Sequence, residues 1–435
     1  MSPRMQLHRG RIISPLSNGA TLDETDGALL VNAAGRIEYA GPRAGCPVGD
    51  HIVEHEHPET LILPGLIDTH VHAPQFPLRA QWSGELLSWL EKVVFPFEAR
   101  FSDAELARRV AREFFAAALK QGSTTMAVFS TVHAQATSIC FEEALNCGIR
   151  ALIGKSMIDM SAPPDLTHSA KQNMSDMEEL ARRWHNSDDG RLQYCVTPRY
   201  AGSCSRQLLK DCADFARVNN LPVQSHLAEN TAELEFVRSK HPYASGYTDI
   251  YDRAGLLGER TIMAHAIYVP DDQLDILADS NTALAHCPCS NRFLQSGVMP
   301  LRAYQERGLR IGLGSDVAGG WTLSMFNEMR EAIESAKTWN FMQPRRERPA
   351  PTAVEALRLA TLDGARALGL DGKIGSLEAG KEADFVLCRA PEADSRREGL
   401  DSTEKKLSEL VYSTDSPRIQ ATYIRGACVF LHSAL

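Results

Sequence analysis

The chain has 435 residues, 43% of them hydrophobic and 23% charged, with a formal net charge of −9 at pH 7. That is the balance of a globular enzyme with room for a barrel plus a smaller unit. An acidic chain without a basic face excludes an electrostatic nucleic-acid binder, and no apolar run approaches the ~20 residues that cross a bilayer.

The ten cysteines are scattered, which points to reduced thiols rather than a disulfide scaffold. The N-terminus lacks the apolar core of a signal peptide, so the expected location is cytoplasmic. Residues 11–13, 27–31, 36–39 and 51–55 are short β-like pieces separated by Gly, Pro, Asp and Asn, the pattern of a small antiparallel unit. Residues 63–75 then read LPGLIDTHVHAPQ. A short strand after Pro64-Gly65 delivers His70 and His72, whose side chains point the same way. Two imidazoles aimed at one point suit a divalent metal.

Residues 79–100 read as a long loop or lid with helical pieces. Ser102 with Glu105 three residues on is a capping box for a helix to about Gln121, stopped at Gly122. Strands and helices alternate from there. Strands are expected at 123–130, 150–157, 192–199, 222–226, 261–265, 282–286 and 310–316. Helices are expected from about 136 to 148, then at 174–185, 205–219, within 231–257 and at 271–278. With the His70–His72 strand, that makes eight strand candidates, the alternation of a (β/α)8 barrel. β-like pieces return at 384–387, 419–424 and 427–431. The expected architecture is α/β: a (β/α)8 TIM-like barrel over 64–372, inserted into a small β domain built from 1–63 and 373–435.

The polar residues that stand out fall at the C-terminal ends of these strands. His70 and His72 end the first. His226 ends the fifth and is followed by Glu229, His265 ends the sixth, and Asp316 ends the eighth. A barrel brings those ends to one face. Three imidazoles and a carboxylate suit Zn²⁺ or Fe²⁺ with one position left for water, whose pKa falls toward ~7. Glu229 reads as a proton shuttle rather than a ligand, against the plainer role of a carboxylate at a helix N-terminus. His265 is either a ligand or a hydrogen-bond partner of the hydroxide. Asp316 binds the metal and orients the nucleophile. His133 and His286 read as structural or supporting, and Cys287 and Cys289 as small packing residues rather than thiolate ligands.

With HVH, HLAE, AH and GSD in this order, the chain resembles the amidohydrolase superfamily over essentially its whole length. The resemblance implies that the terminal domain is a β-sandwich. Six further segments (DTHVHAPQF, FPFEARF, VTPRYAGSCS, QSHLAEN, AHCPCSN and GLGSDVAGG) resemble the branch of that superfamily that deaminates guanine to xanthine and ammonia. That closer likeness implies one zinc per chain on His70, His72, His226 and Asp316, with Fe²⁺ as the alternative metal. It places His265 against the hydroxide or the substrate. It puts Gln75 and Arg199 on the polar edge of the purine, and Tyr200 beside Arg199 where the branch often carries Phe. It also implies a homodimer.

In this reading a zinc-activated hydroxide attacks C2 while Glu229 protonates the adjacent ring nitrogen. Arg199 offers a donor fork and Gln75 both a donor and an acceptor. A C6 carbonyl uses the donors, whereas the amino group of adenine would leave Arg199 facing another donor. The runner-up is a deaminase or chlorohydrolase of the same branch acting on another amino-purine, an adenosine derivative or a triazine. A non-catalytic barrel scaffold would have lost metal ligands, and here none is missing. A cytidine-deaminase type of zinc site fails on residues, because Pro288-Cys289 is followed three on by Arg292, where the P-C-x-x-C motif needs a second cysteine.

Overall fold

A computed structural model describes residues 5–47, 49, 52–343, 348–389, 402–413 and 418–432. Strands β1 (Gln6–Pro15), β2 (Thr21–Val31), β3 (Ile37–Pro42) and β4 (Val53–Pro64) come first. Next are β5 (Leu66–His72), β6 (Ser123–Phe129), β7 (Arg150–Gly154), β8 (Ser156–Met157), β9 (Leu192–Tyr194) and β10 (Thr197–Pro198). β11 (Val223–Leu227), β12 (Thr261–His265), β13 (Ala283–His286) and β14 (Ile311–Leu313) complete the middle. β15 (Phe385–Arg389), β16 (Ile419–Ile424) and β17 (Ala427–Leu431) close the chain.

Both ends of the chain enter one seven-stranded sheet, in the order β17-β16-β15-β4-β1-β2-β3. The expected antiparallel unit is corrected in one respect: β1 and β4 run parallel, with His8 opposite His55. A parallel neighbour needs a crossover, and the β2–β3 hairpin with the turn after it supplies one. Ile12, Val31, Ile62, Phe385 and Leu387 are among the residues of a separate apolar core on this sheet. His51, placed in the fourth predicted strand, lies outside the described residues, and the strand itself runs on to Pro64.

The middle forms two four-stranded parallel sheets, β5-β6-β7-β9 and β11-β12-β13-β14. They meet at both edges through backbone hydrogen bonds. At one edge Asp316 N–H donates to the His70 carbonyl at 2.8 Å and His72 N–H to that of Val317 at 3.1 Å. At the other, Val196 N–H donates to Pro222 at 2.8 Å and Gln224 N–H to Val196 at 3.0 Å. All seven residues of β6 are buried, as parallel strands covered by helices require. The predicted strands 150–157 and 192–199 are each interrupted, and their second halves, β8 and β10, pair with one another.

The helix Ala104–Lys120 buries Leu106, Val110, Phe114, Phe115 and Ala118, one apolar stripe at helical spacing. Its N-cap is Asp103 rather than Ser102. The Asp103 carboxylate accepts from the Glu105 and Leu106 amides, while Ser102 belongs to the preceding 3-10 turn, Ala99–Ser102. Residues 86–102 are short helical pieces, with a π turn at Leu90–Val94. Among the described residues no helix is long and apolar enough to cross a membrane.

Candidate active site

The ends of β5, β11, β12 and β14 converge. Ligand atoms of His70, His72, His226 and Asp316 all lie within 4.8 Å of one another. His70 Nε2 and His72 Nε2 stand 3.1 and 3.3 Å from Asp316 Oδ1, and His72 Nε2 is 3.1 Å from His226 Nε2. The His226 Nδ1–H donates to the Arg199 carbonyl at 2.6 Å, which leaves Nε2 as a bare lone pair turned to the cluster. His70 Nε2 is buried with no hydrogen-bond partner.

Lone pairs facing one another without a proton between them are costly unless a cation sits among them. Donors bonded to zinc at 2.0–2.1 Å in a tetrahedron stand about 3.4 Å apart, close to the spacings here. The four residues therefore fit a divalent metal. Burial pushes His226 well below the ordinary histidine range and His70 down to about 4, against the pull of Asp316 in the latter case, so both are neutral ligands at pH 7. Burial opposes the charge of Asp316, but the adjacent His70, His72 and His265 imidazoles hold its carboxyl well below the usual range.

The backbone is strained where it aims these groups. His265, Ala266, Ala228 and Asp316 have φ of 72°, 49°, 49° and 45°, a region that costs non-glycine residues about 1–3 kcal/mol each and clusters at functional sites. Gly314 permits the close approach of β14 to β5, since a Cβ there would stand 2.8 Å from that of His70.

Glu229 is buried beside the cluster. Its Oε1 accepts from the Ser296 hydroxyl at 2.9 Å, and its Oε2 is 3.5 Å from His265 Nε2. Burial lifts its carboxyl to about 7, against the nearby His265. His265 donates from Nδ1 to Asn291 Oδ1 at 2.9 Å and lies 3.8 Å from Asp316. Ser290 donates to Asp316 Oδ2 at 2.6 Å. One short segment, the helix Pro288–Phe293 and the turn after it, thus holds Asp316, His265 and Glu229 through three different side chains.

A cleft opens onto these groups, lined by Gln75, Arg199, Tyr200 and Glu229 among others, with Leu86, Leu87, Trp89 and Leu90 also on its wall. Its mixture of apolar walls with a few convergent polar groups is that of a small-molecule site. Arg199 is paired bidentately with Glu98, which also accepts from Gln75.

The sequence profile of the Amidohydrolase family matches residues 61–429, most of the chain. The chain belongs to the amidohydrolase family. It is 34% identical over 411 residues to guanine deaminase of Escherichia coli (strain K12), covering 93% of this chain and 91% of that protein. The crystal structure of a guanine deaminase from C. acetobutylicum with guanine bound in its active site matches at a TM-score of 0.90 and 29% identity, covering 98% of this chain and 100% of that one. An adenosine deaminase from Xanthomonas campestris with bound zinc matches at a TM-score of 0.84 and 26% identity, covering 97% and 92% of the two chains. The amidohydrolase fold is of the TIM-barrel type.

In this amidohydrolase the structure brings together the nine residues that the sequence placed in the site. His70, His72, His226 and Asp316 form the cluster. His265 and Glu229 flank it, and Gln75, Arg199 and Tyr200 line the cleft. His286 is not one of the four clustered donors, and both its ring nitrogens are buried and unpartnered; Cys287 and Cys289 are free and buried. Glu98, Ser290, Asn291 and Ser296 are the residues that the sequence reading passes over. Glu98 left one signal, a lone carboxylate between Phe95, Phe97 and Phe101, which a buried segment keeps only if it is paired. Nothing in the spacing around Ser290, Asn291 or Ser296 marks them.

Proposed function

We propose that the protein hydrolyses guanine to xanthine and ammonia in this cleft, with zinc as its metal. One observation carries the reading. A single cleft joins the four-donor cluster to a purine-sized polar edge, Gln75 and Arg199, in a chain 34% identical to a guanine deaminase over 93% of its length.

In the reaction a water oxygen bonds to C2, the bond from C2 to its exocyclic nitrogen breaks, and that nitrogen leaves as ammonia. When bound, the divalent cation lowers the pKa of water toward ~7. Gln75 and Arg199 hold the base so that C2 faces the cluster. Glu229 Oε2 takes the first proton of the attacking water and delivers it to the ring nitrogen beside C2, then takes the second from the oxygen now on C2 and passes it to the departing amine, leaving a C2 carbonyl. A carboxyl held at about 7 is suited to both directions of transfer. His265, fixed by Asn291, turns its Nε2 to the oxygen arriving at C2. The apolar wall of Leu86, Leu87, Trp89 and Leu90 keeps bulk water from the reacting atoms.

We further propose a closed eight-stranded barrel over 64–372 with a small β-sandwich-type domain of 1–63 and 373–435, and a homodimer in the cytoplasm. Light scattering of dilute protein and cell fractionation check the last two. The test of the function is ammonia release from guanine, with adenine, cytosine and a triazine in parallel, on protein of measured metal content. Release from guanine alone, lost on chelation and restored by Zn²⁺, is the expected result. Full metal occupancy with turnover of the triazine instead would move the substrate to the runner-up class.

A further inference from the structure

Glu98 lies on the helical turn Phe95–Glu98 and is 0% exposed. It is not among the residues lining the cleft described above, yet it touches both residues that hold the base. Its Oε2 accepts from Arg199 Nη1 at 2.5 Å, and its Oε1 accepts from Arg199 Nη2 at 3.1 Å and from Gln75 Nε2 at 2.9 Å. On its other side, Gln75 Oε1 faces the Ala318 N–H at 3.4 Å.

An ionised carboxylate only accepts hydrogen bonds. Glu98 therefore fixes the sense of the Gln75 amide. A flipped amide would set its oxygen against the carboxylate and its NH₂ against the Ala318 N–H, two repulsive contacts in a buried place. With the amide locked, the spare lone pair of Gln75 Oε1 is an acceptor, and the Arg199 N–H groups not used by Glu98 are donors. An acceptor beside donors complements a lactam, in which a ring N–H adjoins a C=O. The 6-amino edge of adenine presents the reverse pattern. The ion pair also holds the guanidinium plane, since both partners are buried and bidentate.

We infer that Glu98 is a positioning residue that sets the lactam selectivity of the site by locking Gln75 and Arg199. The inference rests on the reading that those two residues hold the base. A glutamine at 98 offers a donor as well as an acceptor, so it would let the Gln75 amide take either sense. An aspartate there keeps the acceptor-only character.

The experiment compares wild type with Glu98→Gln and Glu98→Asp, with metal content and melting temperature measured for each. The readouts are kcat and KM for guanine and the inhibition constants of hypoxanthine, which keeps the lactam, and purine, which lacks the 6-oxo group. For Glu98→Gln, KM for guanine and the inhibition constant of hypoxanthine should rise about 10- to 100-fold, the range for losing a charge-assisted hydrogen bond. The constant for purine should move less than about 3-fold, with kcat moving less than KM. Glu98→Asp should recover part of the hypoxanthine preference, and it carries the test if Glu98→Gln does not fold. An equal loss for hypoxanthine and purine, or no loss for either, overturns the inference. Failure of the wild type to deaminate guanine would instead sink the functional reading, and dissociation constants of hypoxanthine and purine, measured by calorimetry on wild type and variants, would then decide the role of Glu98.

Discussion

At the scale of single residues, the proposed reaction depends on a carboxylate that burial lifts to about 7. Glu229→Gln keeps the size of the side chain and can still accept from Ser296, but it cannot carry a proton. Turnover of guanine should fall by about 10²–10⁴, with metal content and melting temperature unchanged, and a variant at the wild-type rate would remove Glu229 from the proton path. Asp316 is different, because its carboxylate touches His70, His72 and Ser290 at once. Asp316→Asn should lower the metal bound per chain as well as the rate, which metal analysis of the purified variant checks. Residues of this kind were legible in the sequence because chemical type and position coincide: an imidazole or carboxylate at the end of an apolar strand. Glu98 was not, since its meaning lies in a partner 101 residues away that only the folded chain brings near.

At the scale of elements, the segment from Cys287 to Gly297 anchors three site residues without contributing a ligand. Asn291→Ala removes the acceptor of His265 Nδ1 and should reduce kcat about 10-fold, the usual worth of one such bond. KM for guanine should change little, because the segment holds neither Gln75 nor Arg199. Steady-state kinetics at fixed metal content separates the two constants. In the terminal sheet, His8 stacks on His55 and His57, with 4.9 and 5.3 Å between ring centroids. Burial, followed by its histidine neighbours, pushes His8 down to about 3 and His57 to about 4. Unfolded histidines titrate near 6.5, so between those values the unfolded chain binds more protons than the folded one. Stability should therefore fall as pH drops from about 6.5 toward 4. Melting temperatures across that range check the slope, and His8→Phe should flatten it. The strands themselves were legible from alternation and turn residues. The parallel pairing of β1 with β4 was not, because a two-residue period says which face a side chain takes and nothing about the direction of its neighbour.

At the scale of the whole molecule, the middle strands and the terminal sheet are joined by a buried charge cluster. Arg150 on β7 meets Glu382 at 2.5 Å and Asp384 at 3.0 Å, and Arg425 meets Glu382 at 2.7 Å. The side chains of Arg150 and Asp384 are each 2% exposed. Arg150→Met would leave two carboxylates buried without their main partner, and should cost about 3–5 kcal/mol in denaturant unfolding. The return of the chain end to the first strands was legible as β-rich termini around an alternating middle, whereas this cluster, drawn from three distant segments, was not. The order of the sheet has a consequence for synthesis. β4 pairs on one side with β15, which begins about 320 residues after β4 ends. At a translation rate of roughly 5–20 residues per second, that partner leaves the ribosome some 15–60 s later. For that interval Leu61, Ile62 and Leu63 form an open apolar edge, the kind of surface that chaperones hold. A nascent chain that stalls before Phe385 carries the edge permanently, so an incomplete copy advertises itself for degradation.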